Sequence, residues 1–490
     1  MFKGVKGMFG VDVTSYLIGT KKMGKFRNTI DLDVGNLKFQ YNDGQVFTSK
    51  RRKKSIIVMG RFVDAFNPER SPNQILEVLL DSNDVEELIY KNRSLAGRYI
   101  IIYQFDGRLI IVPDACATIP VTFTTCGHLY VASNPKNIAT LNGWSESRLS
   151  KKIKSRATNT HPLPYDMTMY DNIKKMPPNH YFLYNSKVRD VVRYYPVSRK
   201  VPVSVKDAAE LSSKLLKNII QAYFNHFKLA LPLTAGIDSR LILSLCKDIV
   251  REIPSYTFFH NRFTVQTPDI VIPATIAKRF NFEHLIIHHT KVPDDVRKQV
   301  YNELGSNLSK LELQNAWTYS HTQLAEYTRL DGNISPLAKS SFGRNLPELL
   351  ASPSYLVTKT HNYARENRRE IRRWVNDIYD YASFSNISKY DLFFWEHRIG
   401  NWNANAYMTA DLFSKSLNPF NCRYLLETWL RVPRKQRTNG EIHKAIISMN
   451  WLELLELPIN PDRRFRTVYA NPILYYLGVR GKYTLNRYRR

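Results

Sequence analysis

The stretch LALPLTAGIDSRLILSL spans residues 229–245 and determines how the second half of the chain is interpreted. It begins with apolar residues typical of a buried strand and ends with the apolar spacing of a helix. Small and polar residues stand between them: Thr234, Ala235, Gly236, Asp238 and Ser239. Ligands of open parallel sheets bind where strands end, and helix N-termini attract anions. The stretch therefore predicts a strand, an anion-binding loop and a helix.

A plain helix cap explains the same loop without any ligand. Asp and Ser are both favoured at helix N-termini because their side chains accept hydrogen bonds from free backbone N–H groups. The loop also lacks the Lys of a Walker-type phosphate loop, and the chain has no G-x-G-x-x-G dinucleotide pattern. The loop residues alone leave the cap and the anion site as alternatives.

Length and composition indicate a globular protein. The chain has 490 residues, enough for two or three domains, and 43% of its residues are hydrophobic. No apolar run approaches the roughly 20 residues of a membrane-spanning helix, and the start lacks a signal-peptide core. We therefore expect a cytoplasmic protein. The four cysteines are scattered and predict neither a zinc site nor a disulfide framework.

The net charge of +28 is unusually high. Basic runs occur at 49–54, 366–374 and 480–490, and such a field attracts polyanions or anionic membrane surfaces. A solvated basic surface is the simplest interpretation. Acidic metabolites, glycans and assembly beside a membrane are the alternatives, and we do not expect nucleic acid to be the partner.

The chain divides into two parts of different texture. Residues 1–195 contain short apolar strands bounded by Gly, Asp or Asn, with a hairpin turn expected at Asp106-Gly107. Residues 196–207 are rich in Pro and Lys and indicate a linker. From 208 to 490, strands alternate with helices and then give way to helices. This alternation predicts an α/β domain with a parallel sheet and a helical extension.

Several stretches in order resemble the asparagine synthetase family of ATP-dependent amide-forming enzymes. The loop LTAGIDSR is similar to the family's S-G-G-x-D-S pyrophosphate loop. Similar elements precede it in LAGRYIIIYQFDGRLIIVPD, VASNPKNIA and YDNIKKMPPNHYFLY, and follow it in the stretches around SYTFF and SLNPFNCRYLLETW. The resemblance covers most of the chain.

The resemblance implies an N-terminal glutaminase-like, Ntn-hydrolase-like β-rich sandwich. It implies an adenine-nucleotide α-hydrolase-like PP-loop domain after the linker. Glutamine-using members begin with a catalytic Cys after Met1, but residue 2 here is Phe and the first Cys is Cys116. We therefore expect a glutaminase-like domain without glutaminase chemistry, as in β-lactam synthetase. The nitrogen would then come from ammonia or a substrate amine.

The resemblance also implies the reaction. Family members adenylate a carboxylate with ATP, release pyrophosphate and form an amide with ammonia or an amine. In this chain Asp238 would hold Mg²⁺ on the phosphates, since Mg²⁺ prefers a carboxylate or two plus phosphate oxygens. The residues expected to bind nucleotide are Leu233, Thr234, Ala235, Gly236, Ile237, Asp238, Ser239, Thr257, Gly332 and Lys339.

Two further residues are candidates for catalysis beside Asp238. Lys444 matches a late Lys that neutralises charge at the adenylate in the family, although a lone Lys is usually just solvated. Arg398 lies in EHRIGNW, on the helix that lines the acceptor side in the family. It could hold a substrate carboxylate through a bidentate contact, or form a structural ion pair.

Two departures from the family's motifs bear on activity. Ala235 replaces a usual Gly, and its Cβ limits positive φ. The family's second acidic loop corresponds to LDGNISPLAKSSFGRN at 330–345, which keeps Asp331-Gly332 but lacks the Asp-Glu pair and has Lys339 nearby. Lys339 would contact phosphate directly, or the metal would be held less firmly, or catalysis would be lost.

Several alternatives therefore remain open. A catalytically degenerate nucleotide-binding or assembly protein is the second interpretation, and a PP-loop tRNA-modifying enzyme is the third. The substrate would be a small-molecule, glycan or peptide carboxylate. A homodimer is one of the assembly states left open.

Overall fold

The computed structural model describes residues 14–42, 44–157, 162–186, 188–461 and 471–489. The first part folds into two antiparallel sheets of six strands each, in the orders β10-β8-β9-β1-β3-β2 and β12-β11-β7-β6-β5-β4. The strands are β1 Tyr16–Gly19, β2 Asn28–Asp31, β3 Lys38–Tyr41, β4 Val46–Arg51, β5 Lys54–Asp64, β6 Leu95–Phe105, β7 Arg108–Pro113, β8 Thr122–Thr124, β9 Tyr130–Ala132, β10 Ile173–Lys175, β11 His180–Tyr184 and β12 Arg189–Arg193.

Helices cover the outer face of each sheet, so this half has four layers. Their bounds are α1 Pro72–Leu80, α2 Val85–Asn92, α3 Pro135–Asn142 and α4 Arg148–Ser155. Ile100 and Ile102 of β6 face the core between the sheets, whereas Ile101 faces the core under α1 and α2. This alternation follows from the two-residue period of a strand, and it explains why a strand covered on both faces is apolar throughout.

Two local expectations from the sequence can be compared with the structure here. The hairpin at Asp106-Gly107 is confirmed: it joins β6 to β7, and both turn residues have positive φ. The stretch PNQILEVLLDSNDVEELIYKN at 72–92 has the apolar spacing that predicts helix, and it forms two helices, α1 and α2. The break occurs because Asp84 caps α2 by accepting a hydrogen bond from the Glu87 N–H at 2.8 Å.

The second part contains a five-stranded sheet in the order β15-β14-β13-β16-β17, with every pairing parallel. Its strands are β13 Leu229–Pro232, β14 Ser255–Phe259, β15 His284–His288, β16 Thr328–Leu330 and β17 Lys415–Leu417. The parallel sheet expected from the alternation is confirmed. The three-residue strands β16 and β17 were not expected, because they lie within a largely helical region.

Helices surround this sheet and extend from it. Their bounds are α5 Val205–His226, α6 Ile237–Leu245, α7 Pro268–Phe280, α8 Asp294–Leu304, α9 Lys310–Ser320, α10 Pro353–Leu356, α11 Arg365–Ser385, α12 Lys389–Phe393, α13 Ala404–Ala410, α14 Arg423–Arg431, α15 Arg434–Arg437, α16 Glu441–Trp451 and α17 Pro472–Arg489. A π-helical segment, Phe394–Asn403, connects α12 to α13. Within the described ranges, no helix combines the length and apolarity needed to cross a membrane.

The two halves share one buried core. Val63, Ala96 and Cys116 of the first half lie in the same apolar cluster as Leu231 and Leu241 of the second. The chain is therefore a mixed α/β protein with two antiparallel sheets and one parallel sheet. The boundary predicted at 196–207 stays a prediction.

Candidate functional site

The loop between β13 and α6 lies at the switch point of the parallel sheet. From β13 the chain proceeds through β14 and β15 on one side, and then returns to β16 and β17 on the other. The connections on the two sides of β13 lie on opposite faces of such a sheet, which opens a crevice at the carboxyl ends of the strands. Residues 233–236 lie at this crevice, and Thr234 among them is exposed.

The backbone N–H groups of the loop already have partners within the protein. Thr234 N–H donates to Ser239 Oγ at 3.1 Å, and Gly236 N–H donates to Thr234 Oγ1 at 3.1 Å. Ala235 N–H donates to Asp269 Oδ1 at 2.8 Å, which ties the loop to the first turn of α7. A phosphate that used these N–H groups would have to replace these bonds. Nucleotide contact by residues 233–239 stays a prediction.

Asp238, in the first turn of α6, is the centre of a polar cluster. Lys339 Nζ lies 2.7 Å from its Oδ1 and 2.6 Å from its Oδ2. Ser335 Oγ donates to Oδ1 at 2.5 Å, and His443 Nε2 lies 3.2 Å from the same oxygen. Burial raises the pKa of Asp238, but the His443 hydrogen bond and the Lys339 charge outweigh burial, so the net pKa lies well below its usual value. The carboxylate is therefore ionised at neutral pH.

His443 is fully buried and acts on Asp238 as a neutral donor. Burial lowers its pKa below the usual value, despite the opposing attraction of Asp238. A neutral imidazole that donates from Nε2 leaves Nδ1 as an acceptor, and Nδ1 has no hydrogen-bond partner among the described residues. His443 thus fixes the carboxylate without adding a charge.

The segment that carries Ser335 and Lys339 is held firmly against α6. A Cβ on Gly332 would lie 3.3 Å from Ile242 Cδ1 and 3.6 Å from the Asp238 carbonyl oxygen, so this loop approaches the helix closely. On its far side, the buried guanidinium of Arg437 donates to the Leu337 carbonyl at 3.2 Å. Gly332 and Lys339, both predicted from sequence, are therefore brought to Asp238, where Gly332 makes room and Lys339 provides charge.

A magnesium ion does not fit this arrangement. Both carboxylate oxygens of Asp238 face the Lys339 ammonium, and Ser335 and His443 also occupy Oδ1. Across the described ranges, no group of three or more His, Cys, Asp or Glu side chains could hold a metal. Asp331, the other acid of this region, is buried against Arg329 at 3.4 Å. The positive charge beside this carboxylate in the structure is that of Lys339, and Mg²⁺ binding at Asp238 stays a prediction.

Thr257 supports the loop from the neighbouring strand. Its hydroxyl donates to the Leu233 carbonyl at 2.5 Å and lies 3.2 Å from His284 Nε2. The side chain is buried, so what the structure shows is a contact that positions the loop. The predicted contact with nucleotide stays a prediction.

Aromatic rings cluster at the carboxyl ends of β14 and β15, the same edge of the sheet as the loop. Phe259 stacks on His288 with ring centroids 4.6 Å apart, and His260 meets His289 at 4.5 Å. Phe258 packs on His289 at 5.4 Å. Such rings offer flat apolar surfaces on which a heterocyclic base can stack. The sequence signal was the run of aromatic and His residues at two successive strand ends.

The described contacts of Lys444 and Arg398 are with residues outside the Asp238 cluster. Lys444 Nζ donates to Glu441 Oε1 at 2.8 Å, and both side chains are more than two-fifths exposed. The preceding residue, His443, contacts Asp238 instead. Successive helix residues point about 100° apart, so Lys444 points away from Asp238. The Arg398 guanidinium stacks 3.5 Å above the Trp402 ring, and burial lowers its pKa to about 10. Their catalytic roles stay predictions.

The chain that follows α16 crosses the loop. Arg240, fully buried on α6, donates to the carbonyls of Leu454 at 3.0 Å and Leu457 at 2.8 Å. Asn460 N–H donates to the Ala235 carbonyl at 3.1 Å. One side of the loop is therefore covered by residues 454–460. Residues 462–470, which follow directly, lie outside the described ranges.

Cys116 is completely buried in the core shared by the two halves. Burial raises the pKa of its thiol well above the usual value. A buried thiol that stays protonated is a poor nucleophile. Cys116 therefore does not take the place of an N-terminal catalytic Cys.

No protein-family model and no curated protein matches this sequence. Solved structures similar to the chain include glutamine phosphoribosylpyrophosphate (PRPP) amidotransferase from B. subtilis complexed with ADP and GMP, with a TM-score of 0.26 and 8% identity. Another is described as the allosteric regulatory enzyme of purine biosynthesis, with a TM-score of 0.25 and 10% identity. Each match covers 60% of this chain and 66% of the other, just under two thirds of those structures.

A third similar structure is glutamine-dependent NAD+ synthetase from Acinetobacter baumannii in complex with ADP. Its TM-score is 0.18 and its identity 13%, over 38% of this chain and 41% of that one. All three similar structures are enzymes. TM-scores this low do not show a shared activity, so a proposal of function depends on the residues of this chain.

Proposed function

We propose that this protein is an ATP-dependent amide synthetase similar to the asparagine synthetase family. The observation that carries the proposal is the loop 233–239 at the switch point of a parallel sheet, with Lys339 beside it. The exposed Thr234, the Lys339 cation and the rings at the ends of β14 and β15 lie along one edge of that sheet. A triphosphate with a heterocyclic base needs these features: cations and hydroxyls for the phosphates, and rings for the base.

In the proposed reaction, a carboxylate oxygen of the substrate attacks the α-phosphorus of ATP. The bond to the pyrophosphate oxygen breaks and pyrophosphate leaves. The nitrogen of ammonia or an amine then attacks the acyl carbon. The bond between this carbon and the phosphate oxygen breaks, AMP leaves with that electron pair, and the nitrogen loses a proton to solvent. The departing pyrophosphate carries concentrated negative charge, so a nearby ammonium lowers the barrier. We assign this role to Lys339, because its ammonium lies beside Asp238 next to the loop.

The Asp238 cluster allows Lys339 to change partner. When Lys339 moves towards a phosphate, Asp238 loses both contacts with the ammonium but keeps the hydrogen bonds from Ser335 and His443. The Lys339–Asp238 pair is also partly open to solvent, with side-chain exposures of 20% and 29%. A partly exposed pair is weaker than a fully buried one, so phosphate can compete for the ammonium. Asp238 then holds Lys339 ready beside the loop.

The first experiment measures ATP binding to the full chain by calorimetry, with and without EDTA. We expect binding in both conditions, because Lys339 takes the place of the metal. Lys339→Met should weaken ATP binding at least about tenfold, the effect of losing one charged contact. Lys53→Met is the matched control, since Lys53 lies in the exposed turn between β4 and β5. Absence of ATP binding, or equal binding by Lys339→Met, would contradict the proposal.

The second experiment measures pyrophosphate release from ATP with a panel of carboxylic acids and ammonium or amines. Release with one class of acid supports a synthetase and identifies the substrate class. Asp238→Ala should abolish release, because Lys339 loses the group that positions it.

A nucleotide-binding protein without catalysis is the second candidate. It is favoured by the internal hydrogen bonds of the loop N–H groups and by the engaged carboxylate of Asp238. The same two measurements separate the candidates. ATP binding without pyrophosphate release from any acid would favour this second function over the synthetase.

A further inference from the structure

Helix α17 presents an apolar face to solvent. Its outward side chains are Ile473, Leu474, Leu477, Leu485 and Tyr488, with exposures of 67%, 49%, 58%, 60% and 83%. Spacings of mostly three, four or eight residues place these side chains on one side of the helix. A row of large exposed apolar side chains is unusual on a soluble surface and marks an interaction site.

The opposite face of α17 is anchored to the body of the protein. Tyr476 stacks on Tyr355 with ring centroids 5.2 Å apart, and Tyr483 Oη donates to the Asn362 carbonyl at 3.0 Å. Asn486 Nδ2 donates to Tyr363 Oη at 3.2 Å. The helix is therefore docked along its length, and its apolar row faces outward because the tyrosine face is the one that packs.

The outward face has room for a partner. A Cβ built on Gly478 or Gly481 would meet no atom of the described chain within 4 Å. Both glycines lie among the exposed leucines, so the described residues leave this part of the helix uncovered. A partner can therefore approach the helix at these two positions without a clash.

Positive charges flank the apolar row. Arg480 and Arg487 lie along one edge of the outward face and Lys482 along the other, and the helix contains no Asp or Glu. The basic helices α4 and α11 lie alongside, and a cavity of about 320 Å³ between them and α17 is lined by Lys152, Arg156, Arg365 and Arg487, with Glu366 as its acid. Cations therefore outnumber acids around this cavity and along α17.

We propose that α17 binds the surface of a membrane that contains anionic phospholipids. The leucines and Tyr488 enter the boundary between head groups and acyl chains, and the flanking cations contact lipid phosphates. Interfacial helices combine an apolar row with Lys and Arg in this way. Each cation near an anionic leaflet strengthens binding severalfold.

Two other partners fit the same face less well. Nucleic acid is bound through phosphates and bases, and neither requires exposed leucines. A second copy of the chain would bring two strongly positive faces together without acidic partners on α17. An anionic membrane satisfies both the apolar row and the charge.

The test is co-sedimentation of the full chain with phosphatidylcholine vesicles, with and without phosphatidylserine. We expect binding that requires phosphatidylserine. Leu477→Gln with Leu485→Gln, and separately Arg480→Gln with Lys482→Gln, should each weaken it about tenfold or more. The matched control, Arg52→Gln with Lys53→Gln, removes two charges from the exposed β4–β5 turn and should bind like the unchanged chain.

Thermal unfolding checks that each variant is folded, and the exposed positions should leave the midpoint unchanged. The proposal is overturned if the unchanged chain does not bind the anionic vesicles, or if the control loses as much binding as the α17 variants. It is also overturned if the leucine variant binds vesicles normally. Two further results would reassign the face: RNA binding lost only with the α17 arginine and lysine, or a dimer that the leucine variant converts to monomer.

Discussion

Carboxylate–cation pairs occur in this protein in two different settings, between the halves and at the loop. Asp411 meets Arg98 through two contacts of 2.7 and 2.8 Å, with exposures of 1% and 2%, and Thr14 also donates to the carboxylate at 2.7 Å. Asp238 meets Lys339 at similar distances, but both side chains are a fifth or more exposed. Both pairs join a carboxylate to a cation, but the Asp411–Arg98 pair is buried and the Asp238–Lys339 pair is partly exposed to solvent.

The difference separates a structural pair from an exchangeable one. A fully buried, bidentate Arg–carboxylate pair has no competing solvent, and removing one partner leaves an uncompensated charge in the core. A partly exposed Lys is held by a weaker attraction and can be drawn to another anion. The Asp411–Arg98 pair therefore holds the two halves together, whereas the Asp238–Lys339 pair is suited to exchanging its partner for a ligand.

The largest effect is expected at the interface. Asp411→Asn should lower the free energy of unfolding by about 3–5 kcal/mol, because Arg98 stays buried without a counter-charge. Urea denaturation measures it. Asp33→Asn, which breaks the exposed pair with Lys50, should change stability by less than about 1 kcal/mol. Equal effects of the two changes would remove the distinction between buried and exposed pairs.

The second-largest effect is expected from acid, which should destabilise the contact between the two halves of the protein. His180 is buried beside Arg193 and Glu396, and burial together with the Arg193 charge lowers its pKa to about 4. In the unfolded state the pKa of a His is near 6.5. Between pH 6.5 and about pH 4, the unfolded state therefore binds a proton at His180 that the folded state does not bind. Protonation of His180 alone therefore lowers the free energy of unfolding as pH decreases through this window, by about 2 kcal/mol at pH 5.

Urea midpoints measured from pH 7 to pH 5 test this expectation. His180→Gln should give a shallower pH dependence of the urea midpoint than the unchanged chain. An unchanged slope in the His180 variant would show that protonation elsewhere governs acid unfolding.

Breaking the loop pair should have a smaller effect on folding. Lys339→Met should lower the free energy of unfolding by about 1 kcal/mol or less, because the pair is partly exposed and Asp238 keeps two hydrogen bonds. Guanidinium denaturation gives the value. A loss as large as that of Asp411→Asn would identify Lys339 as a structural residue and weaken the case for phosphate contact.

The smallest effect is expected at Lys444. Its pair with Glu441 is exposed and local to one helix, so Lys444→Gln should change stability by only about 0.3 kcal/mol. Comparing its thermal midpoint with that of the unchanged chain tests this. A pyrophosphate-release defect in this stable variant would support the catalytic role predicted for Lys444, whereas normal release would contradict it.

The sequence predicted the strand, loop and helix at 229–245, the parallel sheet and the Asp106-Gly107 hairpin. These features depend on local period and turn chemistry, which are readable from neighbouring residues. It did not predict β16 and β17, because three-residue strands have no detectable period and form only where a sheet edge receives them. It did not separate α1 from α2 either, since an internal cap resembles an ordinary polar position.

The candidate site divides in the same way. The sequence by itself determined the loop residues as candidates, because small residues after a strand are visible along the chain. The resemblance of 330–345 to the family's second acidic loop added Gly332 and Lys339. Only the tertiary structure decided that Lys339 pairs with Asp238, and that Ser335 and His443 complete the cluster. Those contacts join residues about 100 to 205 positions apart. The physical reason is that the distance between such residues, and the burial that sets their charge states, are fixed by packing of the whole chain and leave no local pattern in the sequence.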